Sequence, residues 1–375
     1  MNIAIQASDL DAQRIDGTRV YLKNLLDRFG ALAPETKFLL FHKDVFNPAL
    51  LPPERSNYRP VSIPFPFSWM QTRFAFEIFR VKPNKLFLPI QASPIFIPKE
   101  VEVTATIHDL AFKKYPETFP KSHRAKLDFL LRTVLCRADK LIAVSASTRK
   151  DILEYFPNIL PEKVRVIHHG FDAKFFSKKF SEGELKEMLS RYRLHPKGYI
   201  LYVGALQPRK NLIRLIEAFT LAKQSGSQEM KLVLAGEAAW LSEGIFGARE
   251  KSSYRDDIIF TDRVSFDDLR VLYQGAKLFA FPSLYEGFGL PILEAFASGV
   301  PVLTADNSSL PEVGGNAALY CQAKNVLDIA EKLKQLWGDE MLRAELVKRG
   351  SERLQYFSWE RCAQETLGCI FDSTH

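Results

Sequence analysis

Apolar and polar positions follow two periods along this chain. Short apolar runs of strand character stand at Asn2 to Gln6, Lys37 to Phe41, Lys85 to Leu88, Val103 to Ile107, Leu141 to Val144 and Val164 to His168. Between them lie stretches of helical period. Gly17 to Phe29 puts Val20, Leu22, Leu25, Leu26 and Phe29 on one face, and similar patterns recur near Trp69 to Arg80, Lys121 to Arg137 and Ala146 to Phe156. After a polar stretch, Lys174 to Glu187, the alternation restarts. Strands are expected at Tyr199 to Gly204, Lys231 to Ala235, Ile258 to Thr261 and Lys277 to Phe281, with a helix from Asn211 (apolar at Leu212, Leu215, Ile216 and Phe219) and another over Phe266 to Gln274. Val302 to Thr304, Ser308 to Val313 and Ala317 to Tyr320 complete the pattern, while Glu237 to Asp257 reads as irregular. Strand–helix alternation of this kind predicts an α/β protein with parallel, doubly wound sheets.

Length turns one sheet into two. The 375 residues, 46% hydrophobic, exceed what a single core usually holds, and the charged, small-residue-rich run Ser177 to Glu184 suits an exposed hinge. The expected division is a first domain over 1–180 and a second over 181–355, followed by a tail over 356–375. No apolar run approaches a membrane span, and Met1 leads directly into the first strand, so neither a spanning helix nor a signal peptide is expected. Cys136, Cys321, Cys362 and Cys369 form no C-x-x-C pair and no metal-ligand spacing, which fits a reduced, cytoplasmic setting.

The net charge of +7 is uneven. Residues 1–180 carry 28 Lys and Arg against 18 Asp and Glu, and the remainder is slightly acidic. Such an excess is compatible with an anionic membrane, a phosphorylated acceptor or nucleic acid, and equally with a solvated surface. Pro64 to Lys85 concentrates the question. It is rich in aromatics (Phe65, Phe67 and Trp69 among them) and carries Arg73, Arg80, Lys82 and Lys85, so it reads either as core or as a membrane-surface helix.

The candidate chemistry is densest at Phe281 to Pro301, FPSLYEGFGLPILEAFASGVP. A buried strand runs into a loop with Gly287 and Gly289, then a short helix with Pro291 at its first position and Gly299 and Pro301 as its stop. Loop amides and the helix N-terminus suit an anion. Glu286 and Glu294 bracket the loop, although Glu294 alone also reads as a helix-dipole partner. A second cluster, Gly204 followed by Arg209 and Lys210, sits before a helix start. Two cations there oppose the dipole unless an anion is near, as a bound diphosphate would be. His108 stands at a strand end, where open α/β sheets bind ligands; Ser145 does too, but as a plausible helix cap. No G-x-G-x-x-G follows the first strand, which argues against a dinucleotide-dependent dehydrogenase. The pairs Asp256-Asp257 and Asp267-Asp268 are adjacent and lack the Asp-x-Asp spacing of a metal clamp.

Taken together, Glu286-x7-Glu294 and the Arg209-Lys210 pair resemble the retaining nucleotide-sugar glycosyltransferases of family 4, a resemblance that covers nearly the whole chain and is strongest after Tyr199. It implies two Rossmann-like domains facing across a cleft (GT-B), with the Phe357-Ser358-Trp359-Glu360 stretch opening a helix that crosses back to the first domain. The implied donor site comprises Gly204, Arg209, Lys210, Glu286, Gly287, Phe288, Gly289, Leu290 and Glu294. In it Arg209 and Lys210 hold the diphosphate, Glu286 the donor-sugar hydroxyls and Glu294 the ribose. His108 corresponds to a histidine set against the sugar. The family's glycine-rich first loop is reduced here to Gly17, Thr18 and Arg19, a weak acceptor or phosphate loop in which Arg19 either reaches an anion or is solvated. His169 replaces the family's asparagine and carries no implied role.

The resemblance therefore implies transfer of a hexose from a nucleotide-diphosphate sugar to a glycan or lipid-linked acceptor, with no metal and no other cofactor. The QPRKNL segment is most like mannosyltransferase members and favours GDP-mannose over UDP-sugars. A cytoplasmic location is expected, with contact at an anionic membrane one of the two readings of the basic aromatic segment, and nucleic acid is not expected. The competing readings are a nucleotide-sugar epimerase or phosphorylase on a similar scaffold, and a non-catalytic carbohydrate-binding protein using the basic first half.

Overall fold

The first apolar run becomes β1 (Asn2–Gln6), which is buried beyond its first residue and hydrogen-bonds on both sides, so it lies inside a sheet. The computed structural model describes residues 1–13, 15–226 and 229–372. Around β1 it arranges β2 (Lys37–His42), β3 (Tyr58–Ser62), β4 (Lys85–Leu88), β5 (Glu102–Ile107), β6 (Lys140–Ala143) and β7 (Val164–Val166) in the order β3-β2-β1-β4-β5-β6-β7. All pairings are parallel. A strand at β3 is not among the expectations. Its sequence YRPVS has a proline, which no internal strand accommodates, and it forms only at the sheet edge, where Pro60 faces Leu40.

The second sheet comprises β8 (Tyr199–Val203), β9 (Lys231–Ala235), β10 (Ile258–Phe260), β11 (Leu278–Phe281), β12 (Val302–Ala305) and β13 (Ala318–Cys321), in the order β10-β9-β8-β11-β12-β13 and again wholly parallel. Within Glu237 to Asp257, read as irregular, the structure has a helix over Glu243–Lys251, with Ile245 buried and Phe246 against Phe260. Gly244 and Gly247 depress its intrinsic propensity and hide it from a period count.

Each sheet anchors one of two compact units. The chain leaves the first unit at Gly170 and re-enters it at Phe357, while Phe171–Tyr356 belongs to the second, together with the short excursion Lys114–Lys121. The division thus falls ten residues before the boundary expected after residue 180. The reason is aromatic: Arg270 lies over the rings of Phe175 and Phe180, and Phe176 packs edge-on against Tyr273. The final helix, Trp359–Phe371, is capped by Ser358 and buries Trp359, Cys362, Ala363, Leu367 and Ile370 in the first unit. No described helix is long and apolar enough to cross a membrane.

Candidate functional site

In the second sheet β8 has β9 on one side and β11 on the other, so the chain order reverses between β8 and β11. The carboxyl ends at such a reversal splay their loops apart and leave room for a ligand. Both predicted clusters follow these two strands. After β8, Gly204 has φ +147 and a Cβ there would meet the Tyr202 hydroxyl at 2.7 Å. Gly236, after β9, is tighter still, since a Cβ would lie 2.1 Å from the Gly204 carbonyl oxygen. These glycines let two strand ends close on each other, a packing need that exists without a ligand.

The chain then makes a single 3-10 turn, Pro208–Lys210, and Asn211 at φ +64 before the helix Leu212–Gln224. The Asn211 amide donates to the Pro282 carbonyl (2.9 Å) and to that of Ala323 (2.6 Å), fastening this turn to the end of β11. Arg209 Nη1 donates to the Tyr285 carbonyl (2.6 Å) and to Glu286 Oε2 (3.0 Å), and Lys210 Nζ to Glu286 Oε1 (2.6 Å). The anion that offsets these two cations is therefore a residue of the chain itself. Burial alone would raise the Glu286 carboxyl, but Lys210 and Arg209 outweigh it and hold its pKa at about 2. The three groups together carry one net positive charge.

The helix Leu290–Ala297 begins after Gly289 (φ +118), one residue earlier than expected, so that Leu290 takes the first position and Pro291 the second. Glu294 sits half-buried on it and accepts a hydrogen bond from the Tyr273 hydroxyl (2.9 Å). Burial pushes its pKa up to about 7, outweighing the Tyr273 hydrogen bond, which lowers it. Sequence periodicity placed Tyr273 only in a core helix, and nothing distinguished its hydroxyl. Asn307, Ser308 and Ser309 were equally unremarked, yet all three bond the Glu286 loop: Asn307 Nδ2 to the Ser283 carbonyl (3.2 Å), Glu286 N–H to Ser308 Oγ (3.0 Å), and Ser309 Oγ to the carbonyls of Glu286 (2.9 Å) and Phe288 (2.6 Å).

The remaining candidates lie in the first unit. His108 follows β5; its Nε2 is 2.7 Å from the Pro89 carbonyl, and its ring meets Tyr21 edge-on and stacks on His169. Burial lowers its pKa, so the neutral imidazole is favoured. Asp16 caps the helix Gly17–Leu32 through the Arg19 N–H, accepts from Thr18 Oγ1 (2.8 Å) and pairs with the Arg19 guanidinium. Asp16 is thus an anion within reach of Arg19. Ser145 caps Ala146–Tyr155, its hydroxyl accepting the Thr148 N–H.

In the aromatic segment Trp69 is buried, stacks on Phe74 and donates to the Ile63 carbonyl, and Lys85 is buried against Glu102 (2.5 Å), so neither belongs to a surface. Phe65, Phe67, Phe76, Phe79, Ile95 and Phe96 are exposed, Phe67 at 76% and Phe96 at 74%. Among the described residues no three His, Cys, Asp or Glu side chains group as metal ligands.

Residues 15–175 match the family model described as Glycosyltransferase Family 4, and residues 189–353 the one described as Glycosyl transferases group 1. O-antigen chain mannosyltransferase B of Escherichia coli is 32% identical over 273 residues, 72% of this chain and 71% of that protein. The serotype-specific mannosyltransferase WbdA of Escherichia coli is 33% identical over 229 residues, 60% of this chain but 28% of that longer protein. Among solved structures, WaaG, a glycosyltransferase involved in lipopolysaccharide biosynthesis, superposes with a TM-score of 0.74 at 14% identity, covering 100% of both chains. Anabaena Alr3699/HepE in complex with UDP and glucose gives 0.75 at 16%, covering 99% of each. At these identities the two structures speak to the fold.

Proposed function

This chain belongs to the group 1 glycosyltransferases of family 4, and from that membership we propose that it moves a hexose from a nucleoside-diphosphate sugar to a glycan or lipid-linked acceptor, with retention and without a metal. The observation that carries the reading is Glu286, a buried carboxylate gripped by both Arg209 and Lys210 at the point where the second sheet reverses. Cleaving the sugar–diphosphate bond builds negative charge on the departing phosphate, and preorganised cations stabilise it without reorganising. Arg209 and Lys210 supply that charge, which a divalent cation supplies in other sites. Glu286 stays ionised at any working pH, so it accepts hydrogen bonds from donor-sugar hydroxyls and has no proton to give. As the bond from C1 to the diphosphate oxygen breaks, the acceptor oxygen bonds C1 on the same face and its proton passes to the departing phosphate. Glu294 takes the ribose hydroxyls.

GDP-mannose is the favoured donor, because the two relatives described above are named mannosyltransferases. The exposed aromatics of residues 65–96 support an acceptor presented at an anionic membrane; of the cations beside them, Arg73 and Arg80 share the buried Glu77 and Lys82 pairs with Glu100. Release of nucleoside diphosphate from GDP-mannose and a panel of UDP-sugars, measured in excess chelator, tests the transfer. Activity that vanishes and returns with magnesium or manganese overturns the metal-independent part.

A further inference from the structure

The loop that carries Glu286 does not hold itself. Its main chain is bonded by two consecutive serines from the connection after β12. Ser308 Oγ accepts the Glu286 N–H and donates to Asn307 Oδ1 (3.0 Å), while the fully buried Ser309 hydroxyl shares its single proton between the carbonyls of Glu286 and Phe288. Ser308 takes φ +50 to make this contact, a left-handed conformation that a serine seldom adopts.

The consequence follows from peptide planarity. In a trans peptide the carbonyl and the following N–H point in opposite directions. Two carbonyls converging on Ser309 therefore send the N–H groups of Gly287 and Gly289 away from it, and the intervening turn is fixed with them. The same bonds fix the Cα of Glu286 and so the reach of its carboxylate toward Arg209 and Lys210.

We propose that Ser309, assisted by Ser308, is a positioning residue for sugar transfer: it touches no substrate and acts by aiming Glu286 and the loop that follows it at the donor. This rests on the donor site proposed above, and the test separates the two. In the ligand-free protein, hydrogen exchange over residues 284–290 is compared for wild type, Ser309→Ala and Ser308→Gly; turnover and nucleoside-diphosphate affinity are measured beside it. Glycine suits the Ser308 backbone, so that variant keeps its fold if Ser309→Ala does not. We expect exchange in this loop to quicken roughly tenfold or more with the rest of the unit unchanged, kcat to fall by about tenfold or more, and affinity to move less than about threefold. Ser309→Thr, which keeps the hydroxyl, restores most of the rate. Exchange that is unchanged in both variants, or that quickens throughout the unit with kcat falling only in step with the folded fraction, overturns the proposal. If wild type turns over no nucleotide sugar, the transfer reading fails, and loop exchange alone still decides whether the serines hold the loop.

Discussion

Glu286 and Glu294 flank one loop yet hold their protons in opposite ways: Lys210 and Arg209 keep the first carboxyl at about 2, and burial beside Tyr273 raises the second to about 7. One is always a carboxylate. The other changes state in the physiological range, and this difference separates the roles.

Glu286→Gln removes the charge and keeps the size. Turnover should fall about 10²-fold or more, the scale of a lost transition-state contact, while nucleoside-diphosphate binding survives. The variant leaves Arg209 and Lys210 buried without their carboxylate, so it should also lose roughly 3 kcal/mol of stability, read by denaturant unfolding. Normal turnover with normal stability would remove Glu286 from the site.

Glu294→Gln should behave in reverse. A carboxyl whose folded pKa lies above its unfolded value binds a proton more tightly when folded, so wild-type stability declines as pH rises from about 4.5 to about 7 and is flat beyond. The variant escapes that decline: its Tm should match wild type near pH 5 and exceed it at pH 8. Its nucleotide affinity should drop by about 1.5–3 kcal/mol if a charged hydrogen bond to ribose is lost. Because hydroxyl donors favour the ionised form, wild-type affinity should rise with pH through about 7 more steeply than that of the variant. Parallel pH profiles would remove Glu294 from the nucleotide site and leave it as the partner of the Tyr273 hydroxyl.

Much of this was legible in the sequence because the signals were local. Glu286, Glu294, Arg209 and Lys210 announce themselves by residue type and spacing, and all but one of the thirteen strands among the described residues coincide with an apolar run. What escaped was of two kinds. Pro60 and the glycines of residues 243–251 contradict the elements they occupy, which tertiary packing imposes regardless. Tyr273, Ser308 and Ser309 act through single hydroxyls reaching residues 21 to 23 positions away, and no period encodes such a bond. The diphosphate inferred from the dipole penalty of Arg209 and Lys210 also needs restating, since Glu286 already offsets them and a ligand would share these cations with it.

Gly236→Ala tests the packing at the base of the site. Its Cβ would meet the Gly204 carbonyl oxygen at 2.1 Å, with φ at +148, so strand ends must part. A loss of about 2 kcal/mol or more is expected from strain and overlap, measured by thermal unfolding. A neutral change would contradict the close approach of β8 and β9.

The exposed aromatics make a separate prediction. Purified protein should float with vesicles containing anionic lipid at low ionic strength and release as salt rises past roughly 0.15 M. Replacing Phe67 and Phe96 with serine should abolish flotation with the fold intact. Indifference of wild type to such vesicles would favour a soluble acceptor.

The most direct test of the donor site is calorimetric titration with GDP and UDP in excess chelator, run on wild type and on the Arg209→Ala/Lys210→Ala double variant. The account predicts saturable binding of one nucleotide per chain, tighter for GDP, and a loss of about 10²-fold or more in the variant, the scale of two charged hydrogen bonds. Absence of binding to wild type, or affinity that the double variant leaves unchanged, would contradict it.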